Sequence, residues 1–173
     1  MKQLIALLLI LCSCSLFAFE KLPLAAYSGK VSYQKGYPYL KTKDDQSLHL
    51  LLAPKNLLDS LNVTLVQNQA LKVSGWLKGK ELLVRSLNIG SRQIPLRDAS
   101  QKPLYPFHSQ RSVDLSRCIS CWLCIKNCPV GAISRKNGKA YIDPAKCIEC
   151  GICSDGNGRF QGCPVSAIKE HKE

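Results

Sequence analysis

The residues whose type and spacing carry chemistry in this chain are eight cysteines between Cys118 and Cys163. The first group reads Cys118-Ile119-Ser120-Cys121-Trp122-Leu123-Cys124-Ile125-Lys126-Asn127-Cys128-Pro129. The second reads Cys147-Ile148-Glu149-Cys150-Gly151-Ile152-Cys153, then nine residues, then Cys163-Pro164. Thiolates set two residues apart on a looping backbone can turn toward one iron-sulfur cubane, with the intervening amides directed at its sulfides. A short loop cannot surround the cube, so a fourth thiolate has to come from elsewhere. Proline after that fourth cysteine steers the chain away and removes an amide that would need a partner.

Two other chemistries compete for the same residues. Ten cysteines in 173 residues suit an exported disulfide scaffold, and paired structural zinc sites are a further alternative. Triplets at two-residue gaps find well-set disulfide partners with difficulty, and zinc more often uses separated pairs. An internal repeat also favours the cubanes. Cys128-Pro129-Val130-Gly131-Ala132-Ile133 answers Cys163-Pro164-Val165-Ser166-Ala167-Ile168, and Arg117-Cys118-Ile119 answers Lys146-Cys147-Ile148. The repeat predicts two pseudo-symmetric halves, each with a cysteine loop, a short helix starting near the proline and a strand. Between them, residues 134–143 read as a hairpin turning at Asn137-Gly138.

Residues 118–129 resemble the C-x2-C-x2-C-x3-C-P run of the bacterial ferredoxins that hold two 4Fe-4S clusters, in which the fourth cysteine serves the other cluster. The resemblance implies two 4Fe-4S clusters as cofactors. It assigns Cys118, Cys121, Cys124 and Cys163 to one cluster and Cys147, Cys150, Cys153 and Cys128 to the other, as cofactor-binding and metal-ligating residues. The function it implies is one-electron transfer, with catalysis left to a partner such as a redox protein or membrane oxidoreductase complex. A structural or assembly subunit of such a complex is the alternative. Nine residues, 154–162, stand where the family's shortest form has three, and they read as a surface loop. Trp122, where the second triplet has Gly151, is placed to shield its cluster from water.

The elements around this module divide the chain further. Lys2, the apolar run Leu4–Leu11 and Leu16–Phe19 predict a signal peptide or lipoprotein leader over residues 1–24, with Leu11-Cys12-Ser13-Cys14 resembling a lipobox lipidated at Cys14. The expected setting is therefore exported, periplasmic or at the outer face of a membrane and tethered to it. No twin-arginine pair precedes the run, which conflicts with clusters that are normally built in the cytosol.

Residues 25–97 alternate like strands: Val31–Tyr33 and Tyr37–Lys41 around Gly36, Leu48–Leu52, Val63–Val66, Leu71–Leu77 and Glu81–Ile89, with a short helix over Lys55–Leu61. Their order resembles an OB-type barrel. Residues 98–112, broken by Pro103 and Pro106, form a linker, and 113–173 complete the cysteine domain. The fold class is α+β, a small mostly-β, OB-like domain followed by a ferredoxin-like one.

The chain carries 24 Lys and Arg against 12 Asp and Glu, a net charge of +12. Two thiolate-bound clusters at about 2− each would bring this to roughly +8, which favours an acidic partner or an anionic surface. No nucleic-acid partner is expected, since Tyr33, Tyr37, Tyr39 and Trp76 read as core or half-buried sheet residues. No C-x-x-C-H haem site, dinucleotide loop or Ser-His-Asp set is present. His49, His108 and His171 read as surface or structural residues.

Overall fold

The structure, a computed structural model, describes residues 22–169. Alternating apolar residues first build a sheet from β1 (Leu24–Gln34), β2 (Tyr37–Thr42), β3 (Ser47–Leu51), β4 (Ala70–Lys78), β5 (Glu81–Ile89) and β6 (Arg92–Pro95). The strand order is β3-β2-β1-β4-β5-β6, and β3 also pairs with β5 in parallel, placing Leu50 opposite Leu82. Helix α1 (Lys55–Ser60) connects β3 to β4. The inward set, including Val31, Leu40, Leu50, Val73, Leu82, Val84 and Leu87, forms one buried cluster, the association expected when one face of each strand leaves water.

Several sequence expectations need adjustment. Val63–Val66 is not a strand: Asn62 takes φ 52°, and the Val63 amide donates to the Leu58 carbonyl at 2.8 Å, closing the end of α1. β1 begins seven residues before Val31, because Leu24-Ala25-Ala26-Tyr27-Ser28-Gly29 mixes small and polar residues that hide its period. β6 was not anticipated and pairs with β5 over Arg92–Pro95.

The cysteine unit contains the helices α2 (Leu123–Asn127) and α3 (Ile152–Asp155). Both precede the prolines where the repeat placed them, since each starts at a left-handed residue, Trp122 or Gly151. Strands β8 (Ile133–Lys136) and β9 (Lys139–Ile142) form the expected hairpin. Asn137 and Gly138 both have positive φ, 49° and 72°, as a two-residue turn matched to strand twist requires. Strand β7 (Ser112–Val113) pairs with β10 (Ile168–Lys169), joining the start of this unit to its end.

A separate buried cluster ties the two regions together: Leu51, Ala53, Trp76, Leu83 and Phe107 meet Ile148 and Ile152 of the second cysteine loop. The segment between them is held by Arg97, which is 2 % exposed. Its guanidinium donates to the Val84 carbonyl at 2.5 Å and to that of Leu52, and lies 5.8 Å from the Phe107 ring. Burial lowers its pKa to about 10.

Candidate metal centre

The two cysteine loops use the same backbone device. Ser120 and Trp122 take φ 59° and 62°, and Glu149 and Gly151 take φ 55° and 78°. Left-handed residues in a tight loop can turn neighbouring N–H groups toward one concavity, an arrangement suited to an anionic cluster. The fourth cysteines match as well. Cys128 Sγ accepts from the Ala132 amide at 3.2 Å, and Cys163 Sγ from the Ala167 amide at 3.3 Å. The Cys118 amide donates to the Asp114 carbonyl and the Cys147 amide to that of Asp143, each at 3.0 Å.

All eight cysteines are free thiols. Cys118, Cys121, Cys124 and Cys163 line one small cavity, closed by Ile119, Trp122, Leu123, Ala140 and Pro164. Burial raises the Cys124 pKa to about 11, the Ile125 amide opposes that, and the charges of Cys121, Cys163 and Cys118 push it further up. Cys118 itself is lowered by the amides of Ala140 and Ser120, with a contribution from Lys139.

The other four cysteines face one another deeper in the molecule. Burial raises Cys150 well above the ordinary thiol value, and Cys153, Cys128 and Cys147 add to the rise. Cys153 is raised to about 12 by burial, opposed by Arg111 and reinforced by Cys147, Cys128 and Cys124. A buried thiolate needs a compensating cation, and Cys128, Cys147 and Cys153 are buried. Among the described residues no three His, Cys, Asp or Glu side chains close around a single metal ion. Free cysteines, four of them lining one cavity, form a donor set that suits an iron-sulfur cluster.

Arg111, 5 % exposed, was not anticipated as a functional residue because nothing in a connector sequence marks a cation for burial. Its guanidinium donates to Ser154 Oγ at 2.8 Å and Tyr37 Oη at 2.7 Å, beside the second cysteine loop. Tyr37 in turn donates to Asp155 Oδ2 at 2.8 Å. The Tyr37 ring lies against Gly151 so closely that a Cβ there would overlap it. His49 is buried rather than superficial, at 3 % exposure, and stacks on Tyr39 with centroids 4.6 Å apart. Burial pushes its pKa down to about 4, with the Cys150 backbone pulling the other way. Trp76 is buried and Tyr33 half-exposed, so the four aromatics form no continuous stacking surface.

The inserted residues 154–162 are more than a surface loop. Asn157 Nδ2 donates to Glu81 Oε1 at 2.6 Å, and Phe160 packs on the cluster shared by the two regions. Trp122 lines the first cavity, its ring 4.4 Å from the Arg135 guanidinium.

The 4Fe-4S binding domain family matches residues 111–134. Among similar proteins, indolepyruvate oxidoreductase subunit IorA of Methanothermobacter thermautotrophicus is 36% identical over 58 residues, 34% of this chain and 8% of that protein. Pyruvate synthase subunit PorD of Methanothermobacter marburgensis is 39% identical over 61 residues, 35% of this chain and 64% of that one. A ferredoxin-like protein in the nif region of Rhizobium leguminosarum bv. trifolii is 40% identical over 50 residues, 29% of this chain and 78% of the relative. The chain thus spans less than two thirds of the first two relatives. No solved structure matches.

These relatives correct one expectation. They are named as oxidoreductase subunits and ferredoxins, and among the described residues no helix is long and apolar enough to cross a membrane. The exported, periplasmic, membrane-tethered setting, with its signal and lipoprotein leader, does not stand; residues 1–21, with Cys12 and Cys14, lie outside the described residues. An electron carrier that is not itself an enzyme agrees with the relatives' names, and a general iron-sulfur electron-transfer role follows. With the 4Fe-4S domain matched at residues 111–134 and a relative covered over 78% of its length, the chain belongs to the ferredoxin-like 4Fe-4S proteins.

Proposed function

We propose that this protein is a one-electron carrier with two 4Fe-4S clusters, serving as the electron-transfer part of an oxidoreductase system. Cys118, Cys121, Cys124 and Cys163 would hold the first cluster, and Cys147, Cys150, Cys153 and Cys128 the second. Each cluster supplies a site that accepts and returns one electron without bond rearrangement. The surrounding residues supply amides for the cluster charge and a wall against water. The observation that carries the reading is geometric: Cys163, from the far end of the unit, lines one cavity together with Cys118, Cys121 and Cys124 of the first triplet.

The β region, residues 25–97, is read as an OB-type barrel that covers the second cysteine loop, with 98–112 as linker and 113–173 as the cluster domain. The parallel β3–β5 pairing supports the barrel, because it joins the two ends of the sheet path β3-β2-β1-β4-β5. The buried setting of Cys128, Cys147 and Cys153 favours a second reading for that half alone, in which its cluster is mainly structural.

Anaerobic purification followed by iron and sulfide analysis and paramagnetic resonance of the reduced protein tests the proposal. Eight irons per chain and two interacting reducible centres are expected. Four irons, or a second centre that stays unreduced at accessible potentials, would limit the carrier function to the first set.

A further inference from the structure

The internal repeat makes Ile119 and Leu123 the counterparts of Ile148 and Ile152, and Lys126 the counterpart of Asp155. Their surroundings are opposite. Ile148 and Ile152 are 4 % and 0 % exposed, while Ile119 and Leu123 are 61 % and 39 % exposed, and Leu115, just before them in the chain, is also at 61 %. The second pair is covered by Leu51, Trp76 and Leu83 of the β region. Asp155 meets a cation there, its carbonyl accepting from Lys35 Nζ at 2.6 Å. The molecule itself therefore shows what covers such a cysteine-loop lip: a protein face that is apolar at its centre and polar at its rim.

The rim of the first lip is of one sign. Arg117, Lys126, Arg135, Lys136 and Lys139 surround it in sequence against one carboxylate, Asp114, which is already paired with Lys169 at 2.6 Å. The β8–β9 hairpin brings its cations to the loop, with Ser120 Oγ donating to the Gly138 carbonyl at 2.6 Å and Lys139 Nζ to that of Cys118 at 2.5 Å. From Asp143 to Lys169, by contrast, the second half balances Lys146, Arg159 and Lys169 with Asp143, Glu149 and Asp155. An exposed apolar patch inside a polar rim marks an interaction surface, and a rim of one sign selects and steers a partner of the other.

We propose that Leu115, Ile119 and Leu123, ringed by Arg117, Lys126 and Arg135, form the docking face for a separate redox protein whose surface is apolar at the centre and acidic around it. The first thiol set is then the exchange point with that partner, and the β region is a permanent occupant of the equivalent face in the other half. One electron moves per encounter, this chain losing what the partner's redox centre gains or the reverse, and no bond is made or broken. This rests on the carrier reading.

The test uses dithionite-reduced holoprotein mixed by stopped flow with an acidic flavodoxin as acceptor. The double variant Ile119→Asp, Leu123→Asp transfers roughly tenfold more slowly or worse, as expected when carboxylates meet carboxylates in a docking face. Lys126→Glu alone slows transfer less and flattens its dependence on salt. Val66→Asp, at an exposed apolar site of the β region, keeps the wild-type rate, and a small uncharged quinone oxidises it and Lys126→Glu as fast as wild type. Wild-type transfer rates in both lip variants, with their iron content intact, would overturn the docking face alone. Loss of binding to phosphatidylglycerol vesicles in those variants, with the flavodoxin rate retained, would assign the lip to lipid and overturn it too. A wild-type protein without a reducible centre would overturn the carrier reading beneath it.

Discussion

The two halves of the cysteine unit share a backbone design and differ in what lies on top of it. The first triplet leaves Ile119 and Leu123 exposed, and Cys121 is itself exposed. The second buries Ile148, Gly151 and Ile152 beneath the β region. A repeat thus fixes where the thiols stand, while the residues between them decide whether a loop becomes a contact surface or part of a core. Gly151 shows this most directly, because Tyr37 occupies the space in which Trp122's side chain begins in the other half.

Forcing the halves to look alike should give the largest effect. Gly151→Trp drives a side chain into the Tyr37 ring, so the seam opens at a cost above about 4 kcal/mol, beyond the usual range for point changes. Iron per chain should fall to about half of wild type on the two-cluster reading, as metal analysis would show. The reciprocal Trp122→Gly should retain its iron and change only the reduction potential of the first centre; two unchanged potentials would remove Trp122 from any shielding role.

Paired truncations sharpen the contrast next. Ile152→Ala empties a fully buried site and should cost roughly 2–5 kcal/mol, whereas Leu123→Ala, half out in solvent, should cost less than about 1 kcal/mol. Denaturant midpoints would measure both, and equal losses would mean that the first lip is covered in the isolated chain.

Acid should loosen the covered half through His49. Its pKa falls from 6.5 in the unfolded chain to about 4 in the fold, so between these values the unfolded state binds the extra proton. The stability is present in full above pH 6.5 and is lost as pH falls toward 4, a change on the order of 3 kcal/mol. His49→Gln should flatten that slope in chemical denaturation, and an unchanged slope would place the proton uptake elsewhere.

The smallest shift expected is redox. Arg111 keeps a positive charge beside the second thiol set, so Arg111→Gln should lower the potential of one centre by roughly 50–100 mV, or about 1–2 kcal/mol per electron. Resonance-monitored titration should find the other centre unmoved.

Much of this was legible in the sequence wherever local chemistry decides. The cysteine spacing, the proline after each fourth cysteine and Asn137-Gly138 each carry their geometry within a few residues. The α+β class and most strands of residues 25–97 followed from alternation. What could not be read depends on residues far apart in the chain. Burial of His49, the placement of Arg111 and the docking of the 154–162 insert all arise where Tyr37 and Lys35 meet Asp155, about 120 positions away. Neither α2 nor α3 could be placed correctly from the prolines, because their starts depend on left-handed residues that carry no common residue type, Trp122 in one loop and Gly151 in the other. The leader reading came from a hydropathy pattern, which many kinds of N-terminal segment share.

The long-range seam also sets an order of events during synthesis. Chains emerge from the N-terminus and regions fold as they become available. Tyr37, Leu51, Trp76 and Leu83 all precede the first of the eight clustered cysteines, and the last of these, Cys163, follows by many residues. The β region is thus a surface waiting for the second cysteine loop when that loop is made. It acts as an internal mould, shaping Cys147, Cys150 and Cys153 as they arrive, while Cys118, Cys121 and Cys124 emerge earlier and have no such template.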